Sequence, residues 1–228
     1  MKLCMFHPVG HPMERGWVGR IDGDRVVHLA AQTLQSFFTG GGSAREHAVY
    51  GLEAVVLLAP VLHPPAVRIF DGPDAFAFAN PAAILGPGTP VASRTVPLAV
   101  YLRLAAVVGV DEEIGGFTVL AEWRDPSLAP PKDRDFALGL GPVVVTPDEL
   151  DPSELRAAAR VDGDEALGGR FGGFDWQAAR DLAASGTTLR PGDLLAGPAL
   201  GAVEAGAGRD VALEVEGIGI LRNRVGSG

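Results

Sequence analysis

Lysine occurs at only two positions in this chain, Lys2 and Lys132, and every other basic side chain apart from histidine is arginine. A lone ammonium in an arginine-rich sequence is a candidate for chemistry. In a partly buried site Lys132 could hold an oxyanion or, with a lowered pKa, act as a base. Coming just after Pro130-Pro131, it reads equally well as an ordinary exposed charge. Histidine offers less: His7, His11, His28, His47 and His63 all precede residue 64, so the rest of the chain has no imidazole for general-base work. Glu46-His47 is the one residual acid–imidazole pair. On the helix expected there, adjacent residues point apart, and a solvated face is the expected role. Gly40-Gly41-Gly42-Ser43 lacks the preceding strand and the Lys-Ser/Thr pair of a phosphate loop and reads as a linker. Cys4 is the single cysteine, which excludes an intramolecular disulfide and a Cys-rich zinc framework and fits a reducing cytoplasm.

The elements that would position such groups are short. With 228 residues the chain has room for one active site, in one large domain or in a medium domain behind a small one. An apolar share of 47% with 31 glycines and 18 prolines predicts many turns and a mostly β (α+β) fold. A net charge of −9 without any basic run excludes nucleic acid as a partner. The opening MKLCMFHPVG is too short and too interrupted for a signal-peptide core, and no run approaches the roughly 18 apolar residues of a membrane helix.

Trp17–Ile21 and Arg25–Leu29 flank Asp22-Gly23-Asp24 as a hairpin, and Thr33 caps a short helix through Phe38. A second helical stretch is expected over Ala44–Tyr50, and a domain boundary near Leu62, giving units at 1–62 and 63–228. Beyond it strands are expected at Ala75–Phe78, Val100–Val108, Phe117–Glu122, Pro142–Thr146 and Val211–Glu216, with one clear helix over Asp175–Ser185. Residues 152–160 have helical composition, but the following Asp162-Gly163-Asp164 suits a hairpin.

Five segments carry a resemblance. LEVEGIGILRNRV (213–225) closely resembles the closing strands of fumarylacetoacetate hydrolase-like proteins. TTLRPGDLL (187–195), GLGPVVVTPDEL (139–150) and FANPAAILGPGTPV (78–91) resemble further strands of that superfamily, and RGWVGRIDGDRVVHLA (15–30) resembles its small N-terminal domain. The resemblance implies a mixed β-roll behind a small N-terminal β domain, a homodimer, and a small-molecule carboxylate as substrate. It also implies a divalent cation, Mg²⁺ or Mn²⁺, held by a Glu-x-Glu pair on one strand and an Asp on the next. A hard cation with oxygen ligands stabilises the enolate formed when a C–C bond of an acylpyruvate or related diketo acid is hydrolysed.

This chain departs from that pattern. LAVYLRLAAVVG (98–109) aligns without a gap, yet the two glutamate positions hold Tyr101 and Arg103. GFTVLAEW (116–123) places Glu122 at the Asp position, the sole remaining metal-ligand candidate, and an Arg103–Glu122 ion pair is expected in place of the cation, which is predicted weakly held or absent. The family's site lysine falls at Lys132. The substrate-contacting threonine turn becomes Ala196-Gly197-Pro198, so that Pro198 replaces a hydroxyl, and Arg124 is positioned to reach an anionic substrate or to sit at the rim. The histidine-bearing lid helix is missing between Val67 and Pro81. Three readings follow: a C–C hydrolase or decarboxylase without a tightly held metal, a non-catalytic dimeric scaffold, or a repurposed isomerase or cyclase using Tyr101, Arg103, Glu122 and Lys132. Convergence of those side chains around an open cavity favours an enzyme; an ion pair that fills the site favours the scaffold.

Overall fold

Apolar runs broken by Gly and Pro bury both faces of strands, and the two longest strands carry the candidate site. The computed structural model describes residues 1–92 and 96–227. In chain order its strands are β1 (Lys2–Pro8), β2 (Trp17–Asp22), β3 (Arg25–Leu29), β4 (Glu46–Gly51), β5 (Val55–Leu58), β6 (Val67–Phe70), β7 (Phe76–Ala79), β8 (Ile84–Leu85) and β9 (Leu98–Val108). They continue with β10 (Ile114–Arg124), β11 (Leu138–Val145), β12 (Glu154–Val161), β13 (Asp164–Gly172), β14 (Leu194–Ala196), β15 (Gly201–Ala205), β16 (Asp210–Val215) and β17 (Gly219–Arg224). The α-helices are α1 (Leu34–Thr39) and α2 (Trp176–Ala184).

The fold is mostly β, with two sheets. The larger runs β4-β3-β2-β1-β11-β10-β9-β14-β6-β7, with β5 on β1, β8 on β11 and β15 on β9; the smaller runs β13-β12-β16-β17. Pairing is mixed: β14 lies parallel to β6 and β8 parallel to β11, while the other pairs are antiparallel. Leu62 falls between β5 and β6, and β1 pairs with β11 at Lys2↔Val145 and Leu3↔Val144, so the N-terminal strands continue the main sheet.

Strand β9 shows why the site sits where it does. Side chains alternate across a strand. Val100, Leu102, Leu104, Ala106 and Val108 enter one core cluster, between the two sheets, and Ala105 and Val107 enter the other. Tyr101 and Arg103 share the face of Ala105 and Val107. With both faces buried, β9 reads as a nearly continuous apolar run, and Arg103 is the one charge within it.

Two local readings were in competition at Glu154–Val161, and the strand wins. Asp162 (φ 50) and Gly163 (φ 92) both adopt left-handed backbone, as a two-residue hairpin turn requires, and β12 then pairs with β13 on one side and β16 on the other. Two ladders outweigh the helical preference of three alanines. Over Ala44–Tyr50 the expected helix is replaced by β4, which pairs with β3 through Val26↔Tyr50 and Val27↔Val49. Tyr50 packs its ring 5.5 Å from Phe6, a tertiary contact that overrides local propensity. Helix α2 forms as expected: Asp175 accepts the Ala178 N–H as N-cap, Ala179 and Ala183 are buried, and the Trp176 ring meets Phe117 at 5.1 Å. Among the described residues no helix is long and apolar enough to cross a membrane.

Candidate functional site

The antiparallel register of β9 and β10 sets Tyr101 opposite Glu122 and Arg103 opposite Leu120, so Arg103 and Glu122 lie diagonally across one face. They meet. Arg103 Nε donates to Glu122 Oε2 at 2.7 Å, with Arg103 only 1% exposed and Glu122 fully buried. The rest of the guanidinium is also engaged: Nη1 donates to the carbonyls of Gly197 (2.9 Å) and Phe70 (3.3 Å), and Nη2 to Asp71 Oδ1 (2.7 Å). Four of the five N–H groups of an arginine are thereby used.

Glu122 is held from its other side as well. Arg124 Nε donates to Oε1 at 2.8 Å, and Arg134 Nη1 lies 3.7 Å from the same oxygen. The Arg124 guanidinium carbon sits 4.4 Å over the Tyr101 ring, so Tyr101 presents its π-face to a cation. A carboxylate sealed from water is stable only when charge and hydrogen bonds replace its hydration, and three guanidinium groups supply both here.

Asp71 closes the arrangement. It follows β6 and begins the five-residue connection to β7, in which no helix intervenes. Partial burial pushes the Asp71 carboxyl up, but the hydrogen bond from Arg103 and the charges of Arg103, Arg124 and Arg134 outweigh it and leave the group below the usual aspartate value. Asp133 is buried behind Arg134, its Oδ1 3.7 Å from Arg134 Nε.

Of the residues expected from the sequence, Tyr101, Arg103, Glu122 and Arg124 come together. Lys132 does not join them. It lies in a single 3₁₀ turn, Lys132–Arg134, is 70% exposed, and pairs with both Asp135 oxygens at 3.1 Å. Residues two apart in such a turn point in different directions, and it is Arg134 that faces Glu122. Pro198 is also apart. With Leu104, Phe174 and Trp176 it lines a cavity of about 260 Å³ on the opposite face of β9. Glu46 binds Arg20 at 2.7 Å and His47 stacks on His28 at 5.3 Å, so these two form no acid–base pair. Sequence reasoning missed Asp71 and Arg134. The only signals were an acid directly after an apolar strand and an arginine two places beyond the lone downstream lysine.

The shape of the molecule has close counterparts. A 5-carboxymethyl-2-hydroxymuconate delta-isomerase from Mycobacterium smegmatis superposes with a TM-score of 0.82 at 22% identity, covering 100% of both chains. A fumarylacetoacetate hydrolase from Exiguobacterium antarcticum gives 0.83 at 21%, again over 100% of both. A maleylpyruvate hydrolase from Sphingobium sp. SYK-6, solved with manganese(II) and pyruvate, gives 0.80 at 21% over the full length of both. An uncharacterized protein of Methanocaldococcus jannaschii is 33% identical over 144 residues, 54% of this chain and 60% of that protein; the chain thus matches less than two thirds of that relative's length.

The residues present here do not fit a divalent cation. The two carboxylates nearest the site, Glu122 and Asp71, already converge on one guanidinium, and a dication would have to enter against the positive charge of Arg103, Arg124 and Arg134. Among the described residues no three His, Cys, Asp or Glu side chains are grouped to hold a metal ion. The fold and its closing strands are nevertheless those of the relatives, and residues 63–226 match the family profile described as fumarylacetoacetate (FAA) hydrolase C-terminal. The chain belongs to the fumarylacetoacetate hydrolase family.

Proposed function

We propose that this protein is a metal-independent, non-hydrolysing member of its family, in which Arg103 stands where relatives place a divalent cation. The observation that carries this reading is the buried Arg103 guanidinium bridging Glu122 and Asp71. Hydrolysis of a C–C bond in a diketo acid needs a cation to take up enolate charge and a base to activate water. Arg103 is a cation, but its donors are committed to Glu122, Asp71 and two backbone carbonyls. Lys132 is turned outward onto Asp135, and the five histidines all belong to the first 63 residues. Losing a single oxyanion donor commonly costs about 10²–10³ in rate, and here the cation and the base are both displaced. A homodimer of such chains is part of the proposal, and light scattering on the purified protein tests it.

The test is calorimetric titration of the chelator-treated full chain with Mn²⁺ and Mg²⁺, with turnover of acetylpyruvate and oxaloacetate followed in parallel. The expected result is no saturable metal binding and no turnover. Stoichiometric metal binding accompanied by turnover overturns the proposal and restores an ordinary metal-dependent hydrolase.

A further inference from the structure

Of the two carboxylates on Arg103, Glu122 is sealed from solvent while the Asp71 side chain is 66% exposed. The two are held very differently. Glu122 is fixed within a long strand and gripped on both oxygens. Asp71 is the first residue of a five-residue connection, and its side chain accepts from Nη2 of Arg103 at 2.7 Å. On the outer side of that connection Asp71 and Asp74 line an open depression of about 420 Å³, space into which the Asp71 side chain can turn. Arg124 and Arg134, whose charges act on Asp71, have side chains 19% and 18% exposed.

Resting on the metal-independent reading above, we propose that Arg103, Arg124 and Arg134 form a binding site for the carboxylate of a small organic acid, held shut by the chain's own Asp71. Asp71 places one carboxylate on Arg103 Nη2, within the field of all three guanidinium groups. An incoming carboxylate takes that place, and Asp71 swings outward into water. The exchange swaps one anion for another on the same donors, so no charge is left bare in the buried lattice. A guanidinium N–H makes a charge-assisted hydrogen bond to a carboxylate, and the charges of Arg124 and Arg134 act on the same place. A half-exposed ion pair of the Asp71 kind is weak enough to be displaced, whereas the Glu122 contacts are not.

The experiment is calorimetric titration of the chelator-treated full chain with pyruvate, and separately with inorganic phosphate, on the wild type and on Asp71→Asn. Asparagine keeps the shape of the internal plug and removes its charge. Pyruvate is expected to bind about two- to fivefold more tightly to the variant, the scale of one partly screened ion pair. Adding Arg124→Gln to the variant is expected to weaken pyruvate binding about tenfold, and a single cooperative urea transition in each protein confirms that the proteins compared are folded. Unchanged pyruvate affinity in Asp71→Asn overturns the proposal, and so does phosphate binding more tightly than pyruvate. A Mn²⁺ titration of the same samples separates the two readings. Pyruvate binding that requires Mn²⁺ sinks the metal-independent reading, while absence of binding by either sinks the carboxylate site alone.

Discussion

Replacing Arg103 by methionine removes the cation from the centre of β9 while keeping an unbranched chain of similar length. Glu122 then loses its 2.7 Å partner on Oε2 but keeps Arg124 on Oε1. Breaking a buried ion pair from one side costs about 3–5 kcal/mol, and the surviving Arg124 contact places this case near the lower end. The carbonyls of Phe70 and Gly197 lose a charged donor as well, adding about 1 kcal/mol. The expected loss is about 4 kcal/mol, or a fall in Tm of roughly 8–16 °C for a chain of this size. Urea unfolding followed by tryptophan emission and far-ultraviolet dichroism measures it. The double variant Arg103→Met/Glu122→Leu is expected to recover about 2–3 kcal/mol of that loss, because it removes both charges and leaves an apolar pair. A cost below about 1 kcal/mol for Arg103→Met refutes the reasoning. So would strict additivity in the double variant, since either result means the two side chains do not depend on each other.

Two further outcomes are expected. Tyr101→Glu combined with Arg103→Glu sets two carboxylates beside Glu122 in the arrangement the family resemblance implies, and this variant should bind Mn²⁺ by calorimetry more tightly than the wild type; failure to do so would mean that the neighbouring arginines, rather than the missing ligands, exclude the metal. Burial and then the charge of His47 lower the pKa of His28, whose ring stacks 4.8 Å from Trp17. As pH falls below 6.5 the unfolded chain takes up a proton that folded His28 refuses, so stability is full above about pH 7 and declines through the window between the unfolded and folded values. Urea midpoints at pH 7.5 and 5.5 measure the decline, and His47→Asn should reduce it in part by removing the charge that opposes protonation, while His28→Gln should remove it; a decline that persists in His28→Gln would assign it to other groups.

The strand-borne part of the site was legible in the sequence because a strand converts spacing directly into direction. Once Leu98–Val108 and Ile114–Arg124 are strands, a period of two puts Tyr101 and Arg103 on one face, and the antiparallel register brings Glu122 to that face too. Asp71 and Arg134 were not legible, since each arrives from a connection whose path depends on packing far away in the chain. Lys132 shows the same limit from the other side: its place in the chain was readable, but a single 3₁₀ turn decides which of its residues faces inward, and Arg134 does. Ala44–Tyr50 has helical composition, and only the demand of β3 for a partner makes it a strand.

In the reading proposed above, an arginine in place of a bound cation is physically economical in one respect and costly in another. A dication holds strand-borne carboxylates together only while it is bound, and its contribution to stability rises with its concentration. Arg103 delivers a cation to the same face of the sheet covalently, at fixed stoichiometry, and its planar donors tie β9 to β10 through Glu122, to β6 through Phe70, and to the β14–β15 connection through Gly197. What is lost is the vacant coordination position through which a metal polarises a substrate oxygen. A guanidinium has no such position, and each N–H spent on the fold is one fewer for a ligand. In the proposed reading only the edge held by the exposed Asp71 is exchangeable, while the buried Glu122 beside it stays fixed.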